Sequence, residues 1–86
     1  MEQAMTDKIE ERIHAFLREK FPLARKNDIE KDTRLLEQGI LDSLGILDVV
    51  SFLETEFSIP IQDEELLPEN FQSLGTLSAF VRRKQG

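Results

Sequence analysis

The 86-residue sequence contains no cysteine. No disulfide can stabilise it and no thiol of its own can act as a nucleophile, which fits a reducing compartment. Long apolar runs are also missing. The stretch from Met1 to Arg12 is polar and charged, so neither a signal peptide nor a membrane span is expected, and the default location is the cytoplasm. No run of alternating apolar and polar residues suggests a sheet. Histidine occurs once, as His14 beside an apolar helix stripe, with no second residue to complete a ligand or catalytic set. A chain this short makes one domain that buries roughly 60 to 65% of its unfolded surface, which leaves no room for a deep catalytic cleft.

Basic residues are scarce in the middle of the chain. Between Asp28 and Glu69 there are twelve acids against Lys31 and Arg34, and the whole chain carries a net charge of −6. Binding a nucleic-acid backbone needs clustered lysine and arginine, so this distribution argues against it. The acidic middle suits basic surfaces on protein partners, or serves solubility alone. Asp28, Glu30 and Asp32 alternate like the start of a calcium loop, but Thr33 and Gly39 stand where that loop wants glycine and glutamate. No metal site is expected there.

What the chain does contain is helical periodicity. Thr6 is a good cap for a first helix whose stripe is Ile9, Ile13, Phe16 and Leu17, and Pro22 marks its end, with Phe21 tucked beneath the bundle. Leu23 to Leu41 then reads as a long connection held down by Ile29, Leu35 and Leu36, with Asp32 or Thr33 beginning a short turn and Gly39 giving a sharp bend. A second helix follows, with Ile46, Val49, Val50, Leu53 and Phe57 on its inner face. Asp63 to Leu67 is expected as one short helix stopped by Pro68, with Phe71 anchoring the next bend. Ser73 caps a final helix that buries Leu74, Leu77, Phe80 and Val81 and ends on Arg82, Arg83 and Lys84, near the negative end of its dipole. The expected fold is all-α: a single domain over 1–86, with its core at about 6–84, built of three main helices and one short one.

The chemistry points to the start of the second helix. Asp42 is a favourable N-cap, leaving Ser43 as the first helical residue with its hydroxyl outward, where a helix end favours an anion such as a phosphate ester. Leu44 and Leu47 share a side with Asp48 and Ser51. Leu44 reads as a surface contact, while the pattern leaves Leu47 open between core and surface.

Asp42-Ser43-Leu44, followed by a helix ending in Leu53-Glu54-Thr55-Glu56-Phe57, resembles the acyl carrier and peptidyl carrier proteins, and the fit extends from about Thr6 to Val81. The resemblance implies that Ser43 carries 4′-phosphopantetheine, whose thiol holds an acyl or aminoacyl group as a thioester. It also implies an acyl-carrier-like bundle that catalyses nothing itself. Its partners would be a phosphopantetheinyl transferase and a loading ligase or transferase, met through Leu44 and Leu47 framed by Asp42, Asp48 and Glu54, and the carrier is expected as a monomer. Common fatty-acid carriers have one residue between the loop glycine and the triplet, where this chain has Ile40 and Leu41. They tend to have an acid where Gly45 stands and an apolar residue where Ser51 stands. Leu67-Pro68-Glu69-Asn70-Phe71 is similar to stand-alone carriers that work with adenylating ligases, including aminoacyl and D-alanyl carriers. The resemblance therefore leans toward specialised lipid, polyketide or aminoacyl-transfer metabolism.

Two other readings compete with the carrier. One is a helical adaptor that uses the same acidic surface and never carries a prosthetic group. The other, a hydrolase built on Ser43, lacks a Gly-x-Ser-x-Gly elbow and has its sole histidine far away in sequence.

Overall fold

The computed structural model describes residues 8–86. Among them the chain forms four α-helices, α1 (Lys8–Lys20), α2 (Pro22–Lys26), α3 (Ser43–Phe57) and α4 (Leu74–Gln85), with two 3₁₀ turns, Asp63–Glu65 and Pro68–Asn70, between α3 and α4. The described residues include no strand. The expected cap at Thr6 lies outside them. Helix α1 buries Ile13 and Leu17 completely and half-buries Ile9 and Phe16, the stripe that the spacing predicts. It packs against α4. Against α3 it stacks Phe16 on Phe52, with ring centroids 4.2 Å apart, and pairs Arg12 with Glu56.

Both prolines expected to end a helix also open one. Pro22 does push Phe21 into extended geometry, at φ −118° and ψ 111°, and so ends α1. Its ring then sets the backbone angle of a first helical residue, whose N–H would have no partner in any case. The stretch read as unbroken connection therefore begins with α2. This short helix folds back on α1: Arg25 Nη1 donates to the Arg18 and Glu19 carbonyls at 3.0 and 3.2 Å, and Ala24 is buried. Pro68 behaves alike. Leu67 is extended before it, and the second 3₁₀ turn starts at the proline, so the one short helix expected over Asp63 to Leu67 is replaced by two single turns.

From Asp28 to Asp42 the chain holds its place by burial. Ile29, Leu35, Ile40 and Leu41 are core residues and Leu36 is half-buried. Glu30 and Thr33 close a turn through Glu30 N–H to Thr33 Oγ1 at 2.7 Å, so Thr33 ends this turn. Two backbone bonds of 2.8 Å fasten the loop to the approach of α4: Leu35 N–H donates to the Gln72 carbonyl, and Gly75 N–H to that of Lys31. Ser73 and Thr76 exchange side-chain and backbone hydrogen bonds to cap α4, which buries Leu74, Leu77, Phe80 and Val81 as its pattern predicts. Ser78 is buried on the same helix, and its hydroxyl donates to the Leu74 carbonyl at 3.0 Å.

The basic end of α4 clamps the α3–α4 connection. Lys84 Nζ contacts both carboxylate oxygens of Glu65, at 2.9 and 3.0 Å, while Glu65 Oε1 accepts the Gln62 N–H at 2.8 Å. Arg83 reaches Asn70 Oδ1 at 3.2 Å, and Asn70 Nδ2 donates to the Glu65 carbonyl at 2.9 Å. The Gln62 amide first, and then the Lys84 ammonium, hold the Glu65 carboxyl below its ordinary value of 4.5. Because the folded-state value is the lower one, this contribution is complete above pH 4.5 and is lost as pH falls through the folded value. The stability gap between the parent and Glu65→Gln is accordingly expected to be full at about pH 7 and to close on acidification below pH 4.5. Urea unfolding of both proteins across that range measures it.

Candidate functional site

The start of α3 is fastened from both sides. Ile40 and Leu41, immediately before it, are 4% and 1% exposed, and Leu41 N–H donates to the Leu35 carbonyl at 3.1 Å. Asp42 is extended, at φ −118° and ψ −175°. Its Oδ1 accepts the Gly45 N–H at 2.7 Å, and its carbonyl accepts the Ile46 N–H at 2.9 Å. Asp42 is thus the N-cap, and Ser43 is the first residue of the helix, exposed to solvent. Helix geometry leaves the amides of Ser43 and Leu44 outside the intrahelical ladder. No acidic residue lies within the first turn.

Beneath Ser43 the helix has no side chain, and another aromatic residue takes the space. A Cβ at Gly45 would stand 2.8 Å from Phe21 Cε1, 3.0 Å from Leu41 Cδ1 and 3.3 Å from Asp42 Oδ1. The half-buried Phe21 ring, in edge contact with Phe16, is therefore seated directly on the first turn of α3. Sequence reasoning singles out Gly45 only as a departure from the fatty-acid carrier pattern and passes over Phe52. The signal for the glycine was available in principle, as an exception to helix propensity in the first turn of α3. Pairing it with Phe21 needs the tertiary structure.

The outer face of α3 presents Leu44 and Leu47, 75% and 55% exposed, with Asp42, Asp48 and Ser51 also exposed. Leu47 is therefore a surface residue, which closes the core alternative. Asp42, Ser43, Leu44, Leu47 and Asp48 fall within the first two turns. Glu54 stands about 16 Å from Ser43 along the axis at 1.5 Å per residue, and its Oε2 accepts the Ile61 N–H at 3.1 Å. The inner positions divide: Val49 and Leu53 are fully buried, while Ile46, Val50 and Phe57 are half-buried. His14 is half-buried on α1 and lines a separate cavity with Arg18 and Arg25. The described residues hold no group of three side chains suited to a metal ion, and no helix among them is long and apolar enough to cross a membrane.

Residues 11–81 match the family described as the phosphopantetheine attachment site. The chain belongs to that family. Its prosthetic group is 4′-phosphopantetheine, and its members are carriers served by a phosphopantetheinyl transferase and by loading enzymes. Among the relatives of this carrier chain is the "Probable acyl carrier protein PigG" of Serratia sp. (strain ATCC 39006), 36% identical over 58 residues that make up 67% of each chain. "Aminoacyl carrier protein 2" of Bradyrhizobium diazoefficiens is 29% identical over 69% of this chain and 65% of its own length. "Aminoacyl carrier protein 1" of the same organism is 35% identical over 63% and 59%. The match thus spans less than two thirds of both aminoacyl carriers. A solved structure described as "Crystal structure of FAD-dependent dehydrogenase" contains a chain alike at a TM-score of 0.61 and 33% identity, over 66% of this chain and 80% of that one.

The close seat of Phe21 on Gly45 generates a stability prediction. Gly45→Val is expected to cost about 1 to 3 kcal/mol by overpacking, more than the fraction of a kcal/mol that valine gains over glycine in helix propensity. In a Phe21→Ala background the cost should fall by half or more. Urea denaturation of the four proteins, taken as a double-mutant cycle, measures the coupling.

Proposed function

We propose that the protein is a carrier in which Ser43 bears 4′-phosphopantetheine and presents an acyl or aminoacyl group to partner enzymes without catalysing a reaction itself. The observation that supports this most strongly is the exposed Ser43 at the capped first position of α3 in a chain of the phosphopantetheine-attachment family. The residues fit the group. The Ser43 hydroxyl is open to solvent, free helix amides favour a phosphodiester beside it, and the first turn offers no carboxylate to oppose it. Asp42 is the nearest acid, and its Oδ1 is committed to the Gly45 amide.

In the attachment step, Ser43 Oγ bonds to the pantetheine-bearing phosphorus of coenzyme A. The pyrophosphate bond breaks, adenosine 3′,5′-bisphosphate departs with the bonding electrons, and the serine proton passes to a base of the transferase. Once attached, the group supplies a thiol that holds the cargo as a thioester, chemistry that a chain without cysteine cannot provide alone. Asp42, Asp48 and the overall negative charge steer a basic partner surface, and Leu44 and Leu47 supply its apolar anchors. Glu54, three turns away and bonded to Ile61, sits at the edge of that surface. Two relatives are named as aminoacyl carriers and one as an acyl carrier, so both cargo classes stay in view, and the Leu67-Pro68-Glu69-Asn70-Phe71 segment supports specialised metabolism with loading by an adenylating ligase. The likeness to a chain in a structure described as an FAD-dependent dehydrogenase supports a flavin-dependent dehydrogenase as one candidate partner. We place the carrier in the cytoplasm as a monomeric domain over 1–86, its core at about 6–84.

Intact mass before and after incubation with coenzyme A and a broad-specificity phosphopantetheinyl transferase tests the central claim. The parent is expected to gain one phosphopantetheine and Ser43→Ala none, with the same circular dichroism for both; a mass gain in Ser43→Ala would reject the assignment. Leu47→Ala should load normally with phosphopantetheine, yet lower kcat/KM for cargo loading by the cognate ligase about tenfold, the scale of an interface anchor. Loading kinetics at low salt check this.

A further inference from the structure

Next to the loop that leads to Ser43 lies a cleft of about 380 Å³, within the size range of small-molecule sites, roughly 300 to 1,000 Å³. Leu36 and Glu37 form one wall, and Pro68, Glu69 and Gln72 the other. The walls are joined at their base by the 2.8 Å bond from Leu35 N–H to the Gln72 carbonyl, and Phe71 N–H closes onto the Pro68 carbonyl at 3.0 Å. The cleft is thus built into the fold. Its surface is aliphatic at Leu36 and Pro68, and both of its ionisable side chains are carboxylates. Glu37 pairs with Arg34 at 3.1 Å, whereas Glu69 forms no ion pair among the described residues.

The cleft is within reach of Ser43. Leu41 is two residues before it, the Leu41 N–H bonds to the Leu35 carbonyl at 3.1 Å, and Leu36 follows. With Cα steps of about 3.8 Å, this path places the two Cα atoms, of Leu36 and Ser43, no more than about 19 Å apart. About fourteen bonds separate a serine oxygen from the sulfur of phosphopantetheine, a reach of roughly 17 Å at the advance per bond of an extended backbone, to which the serine side chain and the cargo add several more.

We propose that this cleft receives the aminoacyl end of a cargo held on Ser43, with Glu69 facing its ammonium group. The inference rests on the carrier reading above and adds a cargo class to it. An aminoacyl thioester keeps a free α-amine, largely protonated near neutral pH, joined to a short carbon framework. A cleft with apolar walls and an unpaired carboxylate suits that combination, while an acyl cargo of the same size offers nothing to the carboxylate.

The test uses the ¹⁵N-labelled protein loaded by a broad-specificity transferase with two non-hydrolysable coenzyme A analogues, one carrying an alanyl and the other a propionyl group, with loading verified by intact mass. The alanyl form is expected to shift the amide signals of Leu36, Glu37, Glu69 and Gln72 relative to the propionyl form. Glu69→Gln, at an exposed position, should load fully and lose at least half of that shift. Equal shifts for the two cargoes, shifts confined to the neighbours of Ser43, or an undiminished shift in Glu69→Gln would overturn the cleft assignment and leave the carrier reading standing. Failure of the parent to gain mass would overturn both.

Discussion

The hydrogen bond from the Gly45 amide to Asp42 Oδ1 is the constraint on which the rest of the site depends. It forces α3 to begin at Ser43, so the serine emerges at the helix end with its hydroxyl in solvent. The bond lies between two well-packed neighbours: Ile40 and Leu41 are buried on the loop side, and Phe21 is seated on Gly45 from the α1–α2 corner. A reactive hydroxyl on a surface this small could easily belong to a fraying end. Here the ordering of the first turn is tied to the core, and Leu44 and Leu47 are left exposed because the opposite edge of the helix already satisfies the packing.

Much of this was legible in the sequence because the signals are local. Period-3.6 stripes set the inner faces of α1, α3 and α4, and the caps at Asp42 and Ser73 are properties of three or four adjacent residues. Ser43 at the first helical position followed from the cap alone. The prolines were legible only in part: a proline excludes the residue before it from a helix, but whether a new helix begins at it depends on what the next few residues can bury. Ala24 and the Arg25 bonds to α1 decide that for Pro22, and Asn70 with its partners decides it for Pro68. Gly45 stood out only as a departure from the family pattern because its use here is defined by Phe21, twenty-four positions away. Phe52 was invisible for a similar reason, since its stacking on Phe16 couples the edges of two helix wheels.

Charge divides into two roles that composition merges. The basic end of α4, which the helix dipole alone would account for, also reaches across to Glu65 and Asn70 and holds the α3–α4 connection. The acids of α3 face outward and are free for steering at Asp48, whereas Glu54 supports the Ile61 backbone. The net negative charge therefore overstates the surface available to a partner.

The close approach of Phe21 to Gly45 also has an evolutionary consequence. A ring that occupies the space of an absent side chain makes the two positions a single inherited character: neither can drift alone without crowding or a void under the serine. Carriers that place a bulky or acidic residue at the position of Gly45 should then be those in which the corner aromatic has shrunk or turned away, so the pair would mark lineages more sharply than the serine triplet they share.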